Sequence, residues 1–247
     1  MCATSNQPRR GYASADSERR MLKAQKIEAL LSTLCPVDGA RVLEVGTGAG
    51  YIAAHFAQRV GPRGQVQAVD VTDTRKVHQG YQFQRVDDTT LPFDHATFDI
   101  CISNHVLEHV GDGRDQLQHL REIRRVLRPN GWLYLAVPNR WTLMEPHFRL
   151  PLLSWFPPKL GDLYVRAAGK GERYDCDPPS SNTLRALLKQ ANLSAKDVTL
   201  DGIRLVGELE SKPGLRRQAL CHPGLWAWAM YGILPSYLIL SQPSPKS

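Results

Sequence analysis

A doubly wound α/β fold is what this 247-residue chain predicts. Three observations carry the prediction. Short apolar runs alternate with helical patterns, a glycine-rich turn (Gly46-Thr47-Gly48-Ala49-Gly50) joins the first run to a helix, and acids recur at the ends of later runs. Such alternation implies right-handed crossovers, a parallel sheet, and a ligand crevice at the carboxyl ends of the strands.

Taken in order, residues 1–16 are basic and serine-containing without an apolar period, and read as a solvated tail. Over 17–34, Met21, Leu22, Ala24, Ile27, Leu30, Leu31 and Leu34 fall at helical spacing until Pro36 stops the pattern. Strands are expected at 41–45, 65–69, 81–86, 98–103 and 132–137, with Gly61-Pro62-Arg63-Gly64 and Pro129-Asn130-Gly131 as punctuation. A helix over 113–127 should turn Leu117, Leu120, Ile123, Val126 and Leu127 inward and an arginine-rich face to water. The irregular stretch at about 138–182 is too long for a mere connection and reads as a substrate-pocket insert. Asn182 should cap a helix over 183–191. Residues 195–206 alternate like a strand, and 224–240 read as a short packed helix followed by a last strand on the sheet edge. Residues 17–247 thus form one domain, a size a single core can serve.

Hydrophobic residues at 42% and charged ones at 22% exclude a disordered chain. The net charge of +7 favours anionic partners, whether nucleic acid, membrane surface or phosphorylated compound, without choosing among them. Five scattered cysteines with no Cys-x-x-Cys pair argue against a structural zinc site and for a reducing compartment. With no apolar leader near the start, the expected location is the cytoplasm. Trp226, Trp228, Tyr231 and Tyr237 make the C-terminal segment aromatic, yet Pro235 interrupts it before membrane-spanning length. Two readings stay open for it, a helix packed on the sheet and a peripheral membrane contact.

Glu44 lies inside the first strand, two residues before the first glycine, where a buried acid calls for a cationic or amine-bearing neighbour. Asp70 closes the second strand, about twenty residues beyond the glycines, where a carboxylate can hold a ribose hydroxyl pair. The loose fingerprint Gly48-Ala49-Gly50-Tyr51-Ile52-Ala53 also admits a nicotinamide dinucleotide, but a carboxylate beside a pyrophosphate gains nothing, whereas an ammonium and a sulfonium gain from it. Asp87 and Asp88 precede the fourth strand; they suit a solvated turn as well as a ligand contact.

The ordered set of 42–50, Asp70, Asp87-Asp88-Thr89-Thr90-Leu91-Pro92-Phe93 through Phe98-Asp99, and Asn104-His105-Val106-Leu107-Glu108-His109-Val110 resembles the class I S-adenosylmethionine-dependent methyltransferases, small-molecule branch, of type 11. The resemblance is specific from about residue 41 to 137 and weaker beyond. It implies a Rossmann-like sheet of seven strands, mostly parallel with an antiparallel last strand, and S-adenosyl-L-methionine as cofactor. It implies that Glu44, Gly46, Thr47, Gly48 and Gly50 surround the methionine portion, Asp70 and Val71 the ribose, and Asp87 and Asp88 the adenine, with Asn104 and His105 beside the sulfonium. The resemblance further suggests methyl transfer to oxygen or nitrogen of a small or lipid-linked acceptor.

Two histidines are candidate catalytic groups. His105 can take a proton from an acceptor hydroxyl, although methyl transfer needs mainly in-line positioning. His147 sits with Glu145 and Arg149 in a proline-bounded stretch of the insert, as a pocket group or as part of a lid. Glu108 and His109 read as structural. A nucleic-acid methyltransferase is the alternative, but Ser103-Asn104-His105-Val106 stands where base-amino methylation would place an Asn/Asp-Pro-Pro-aromatic turn, so no specific nucleic-acid partner is expected. A non-catalytic cofactor-binding scaffold is the remaining one.

Overall fold

The computed structural model describes residues 10–244, with side chains from Ser17 onward. Seven strands form one sheet: β1 (Arg41–Val45), β2 (Gln65–Asp70), β3 (Gln82–Arg85), β4 (Phe98–Asn104), β5 (Leu127–Pro138), β6 (Leu193–Asp197) and β7 (Ser236–Pro243). Their spatial order is β3-β2-β1-β4-β5-β7-β6. The first five are parallel, and β7 runs antiparallel between β5 and β6. The chain reverses its direction of travel across the sheet between β1 and β4, so the crevice falls at their carboxyl ends.

Period-two alternation sorts the core into two layers. Leu43, Val45, Cys101, Leu133 and Leu135 face α3 (Gly113–Val126) and α5 (Ser181–Gln190). Val42, Ile100, Ile102 and Tyr134 face α1 (Arg10–Ser32) and α2 (Tyr51–Arg59). Helix α1 presents Ala24, Ile27 and Leu31 inward, as the spacing predicted. It begins at Arg10 rather than at Ser17, because its first turns carry no apolar period to read. The rest of the expected tail, residues 1–9, lies outside the described residues.

Four expectations need correction. Of residues 195–206, expected as strand, only 195–197 are: β6 (Leu193–Asp197) ends there, and α6 (Thr199–Glu210) follows. Gly202 and Gly207 explain it, since a Cβ on the first would run into Leu238 and one on the second would stand 2.8 Å from the Cys221 amide nitrogen. They let α6 lie close on β7 and on α7 (Leu215–Cys221). The last strand is interior, because it pairs on both sides, leaving β6 as the edge. Ser180, not Asn182, caps α5, its side chain accepting from the Thr183 amide. The arginine face of α3 is not simply solvated. Arg125 donates to the carbonyls of Leu91 (2.8 Å) and Phe93 (2.6 Å), and Glu122 accepts from the Leu91 amide (2.9 Å).

In the 138–182 stretch, α4 (Pro158–Ala167) packs Val165 with Leu150 and Leu153 in a small separate cluster. Helix α8 (Leu225–Ala229) leads into β7. Among the described residues no helix is long and apolar enough to cross a membrane.

Candidate functional site

Three glycines of the turn after β1 are left-handed, Gly46 at φ 78°, Gly48 at 51° and Gly50 at 84°, a region L side chains enter only at a cost. They serve different ends. A Cβ on Gly46 would run into Val106, and one on Gly50 into the Val77 carbonyl and the Tyr81 hydroxyl, so both permit chain to pack on chain. Gly48 has nothing within 4 Å of where its Cβ would stand. It opens on a cleft of about 610 Å³, a size suited to a small organic ligand.

Glu44 shares the strand face of Val42, beneath the turn, and is 2% exposed. Its Oε2 accepts from Thr47 Oγ1 (3.1 Å) and from the Ala53 amide at the start of α2 (3.0 Å). Burial pushes its carboxyl up to about 8, against the pull of those two hydrogen bonds. The sequence reading put Glu44 and Thr47 against the ligand; the structure gives them each other, and neither lines the cleft. The acid splints the turn from below.

Asp70 borders the cleft at the end of β2. Its Oδ2 accepts from the Gly48 amide (2.8 Å) and its Oδ1 from Thr72 (3.3 Å), which fixes the carboxylate while leaving lone pairs for a ligand. Val71, Asp87 and Asp88 line the same cleft. The Asp87 side chain is 93% exposed and stands 3.7 Å from the Arg85 guanidinium. Asp88 accepts from the Thr90 amide (2.6 Å), and hydrogen bonding from Thr90 holds its carboxyl low. The Glu122–Arg125 pair of α3 therefore positions the segment that follows both aspartates.

Asn104 goes elsewhere. Alternation along β4 sends Ile100, Ile102 and Asn104 to the α1 side, where Asn104 lines a second cavity of about 450 Å³ with Lys23, Leu30, Tyr134, Ile203, Val206 and Leu238. His105 borders both cavities. It is a non-glycine residue at φ 58°, held there by its amide's hydrogen bond to the Ala136 carbonyl (2.8 Å), and strain of this kind gathers at functional positions.

His147 reaches back to the short helical turn after β4, with Nε2 3.3 Å from Glu108 Oε1. Its ring stands 6.1 Å from that of His105 and 5.0 Å from that of His109. Burial opposes ionisation of Glu108, but contact with the His105 and His147 rings holds its carboxyl down at about 2, and the Glu108 hydrogen bond raises His147. Glu145, by contrast, is a turn brace, accepting from the Phe148 amide (2.6 Å). Sequence reasoning missed His119, which lines the cleft and lies 3.2 Å from Ser103 Oγ. Burial lowers it to about 4, so it is neutral. Its signal was present, since Gln116, His119 and Ile123 share one helical face.

Residues 43–135 match the family model of a methyltransferase domain. The chain is 33% identical over 135 residues to an uncharacterized methyltransferase of Mycobacterium sp. strain JLS, covering 52% of this chain and 50% of that protein. It is 28% identical over 172 residues to a ubiquinone/menaquinone biosynthesis C-methyltransferase of Hahella chejuensis, covering 63% and 67%. A solved S-adenosylmethionine-dependent methyltransferase from Aquifex aeolicus superposes with a TM-score of 0.56 at 16% identity, over 92% of this chain and 93% of that one. The cyclase SpnF does so at 0.52 and 17%, over 90% and 81%. Likeness at such identity shows the fold alone. The chain spans about half the length of the mycobacterial relative it matches.

Proposed function

We propose that the stretch 43–135, which matches a methyltransferase domain and lies in a fold shared with S-adenosylmethionine-dependent methyltransferases, makes this protein one of that class, and that it moves a methyl group from S-adenosylmethionine to a small acceptor with an apolar body, presented from a membrane surface. One observation carries the reading: the 610 Å³ cleft over Gly48 and the 450 Å³ cavity on the α1 side share His105 as a common wall. Donor and acceptor then meet across one side chain.

The cleft fits the cofactor. Open space above Gly48 and the cleft face of Gly46 suit the amino-acid tail, the remaining lone pairs of Asp70 suit the ribose hydroxyls, and Asp87 suits an adenine amino group. When bound, S-adenosylmethionine supplies a methyl group on a sulfonium, an electrophile that needs an aligned nucleophile. His105 stands where it can receive the proton that an acceptor oxygen or nitrogen gives up. Carbon joins those two as a receiving atom, because the Hahella relative is named a C-methyltransferase.

Support for the acceptor class comes from α1 and from α6 to α8, where the sequence reading had looked to 138–182. Leu30, Ile203, Val206 and Leu238 give the second cavity an apolar wall, with the solvent-exposed Lys23 at its edge. An acceptor carrying an anionic group beside a hydrophobic body meets both. Helices α7 and α8 supply Leu220 and Trp226 to the wall while showing Leu215 and Leu225 (each 86% exposed) and Trp228 (75%) to the outside, next to exposed Arg216. Apolar side chains beside a cation suit an anionic bilayer surface.

Calorimetry with S-adenosylhomocysteine is expected to give micromolar binding. Incubating the protein with methyl-labelled cofactor and a lipid extract should move label into the organic phase. Binding without label in that phase, but with label in soluble metabolites, would remove the membrane part of the reading and keep the transfer.

A further inference from the structure

We propose that His105, Glu108 and His147 form a binding site for one divalent transition-metal ion of the zinc class. The three donor atoms, His105 Nδ1, Glu108 Oε1 and His147 Nε2, lie within 4.8 Å of one another. The two nitrogens stand 3.4 Å and 3.3 Å from the same carboxylate oxygen. Ligands held at about 2.0–2.1 Å from a tetrahedral ion are themselves roughly 3.3–3.4 Å apart, the length that the two nitrogen-to-carboxylate separations already have.

The hydrogen-bonding pattern of the cluster lacks a self-contained solution. Glu108 is fully buried, yet three imidazoles converge on its Oε1, the third being His109 with Nε2 at 4.0 Å. Only the His147 contact is a hydrogen bond; the other two nitrogens face the same oxygen without making one. Meanwhile Glu108 Oε2 and His105 Nδ1 are buried with no hydrogen-bond partner. Buried polar atoms are rarely left so, and an ion between these groups would give His105 Nδ1 a partner. The chain also spends backbone strain to place the first ligand, since His105 is left-handed.

The donor set chooses the metal class. Two imidazoles and one carboxylate suit zinc and its first-row neighbours better than magnesium or calcium, which favour oxygen. Cys176 adds a softer donor close by: its Sγ is 3.7 Å from His109 Nδ1, and it makes with His109 and His147 an overlapping set. Three protein ligands leave a fourth position free, as in sites where the ion acts on a bound molecule rather than holding the fold. Because His105 walls both cavities, that position can take an acceptor oxygen and ease loss of its proton to water, so that with the ion bound the metal takes over the part His105 plays as proton acceptor without it. This last step rests on the proposed methyl transfer; the metal site does not.

The test uses the full chain stripped with chelator. Titration with zinc followed by calorimetry should give one bound ion per chain, and cobalt should give the visible absorption of a tetrahedral site. His147 is on the insert and partly exposed, so His147→Ala should keep the thermal melt of the parent while weakening zinc roughly a hundredfold or more. Glu108→Gln should weaken zinc likewise, with some loss of stability because the carboxylate is buried among the imidazoles. A thiolate-to-cobalt charge-transfer band that vanishes in Cys176→Ser would move the ion to the His109–His147–Cys176 set and overturn the assignment. So would zinc binding unchanged by His147→Ala, or no binding at all. S-adenosylhomocysteine titrated into the same stripped protein reads the methyl-transfer proposal independently, so either can fail alone.

Discussion

Replacing Glu44 by Gln should make the protein's stability less dependent on pH. The carboxyl is buried under the glycine turn, and burial raises it from an ordinary 4.5 to about 8 in the folded chain. An acid so raised keeps its proton in the folded state after the unfolded chain has lost it. Its favourable contribution is therefore complete below about pH 4.5 and disappears as the pH rises toward 8. At about 1.36 kcal/mol per unit, and allowing for partial titration near each end, moving from pH 5 to pH 8 should cost the parent about 3–4 kcal/mol through this group. Gln keeps an oxygen for the Thr47 hydroxyl and the Ala53 amide, so it imitates the protonated acid at every pH. Urea unfolding of parent and Glu44→Gln at pH 5, 6, 7 and 8 gives the difference curve, in which all other titrating groups cancel. A curve that changes by less than about 1 kcal/mol over that range would refute the burial argument. Glu44→Ala should instead be destabilised by about 1–3 kcal/mol even at pH 5, because the Ala53 amide loses its acceptor.

Other expectations concern the cleft and the packing. Asp70→Ala should weaken S-adenosylhomocysteine by about 1.5–3 kcal/mol, roughly ten- to a hundredfold in calorimetry, through loss of charged hydrogen bonds and of the Gly48 brace. Gly48→Val should abolish that binding, since the space its side chain would fill is the ligand's, and should cost some stability through the left-handed backbone at φ 51°; unaltered affinity would separate the cleft from the cofactor. Gly207→Ala should lower stability by about 1–3 kcal/mol in thermal or urea unfolding, because the new carbon meets the Cys221 backbone, which has no rotamer to move away. Lys23→Met should leave S-adenosylhomocysteine affinity intact and lower transfer to anionic acceptors more than to neutral ones.

Local pattern made much of this protein legible. Apolar runs located five of the seven strands closely and the start of β6, and helical spacing gave the buried faces of α1 and α3, because burial selects residue types at a fixed repeat. For β5 they gave only the second half: the strand starts at Leu127 and runs through Pro129-Asn130-Gly131, which reads locally as a turn. The glycine turn and Asp70 were readable because each meets its constraint within a few residues of a strand end. Residues 199–206 misled, since Leu200, Ile203, Leu205 and Val206 fit either period once Gly202 is not recognised as a contact point. What only the tertiary structure decided was which layer each strand residue faces and which distant segments meet. Asn104 follows a cleft residue's motif but inherits the α1 side from the parity of Ile100 and Ile102. Glu108 and His147, 39 positions apart, come together because the insert folds back over the end of β4. Sequence carries periodicity along one dimension; proximity across the chain arises from the handedness of the crossovers and the packing of layers, which no local window contains.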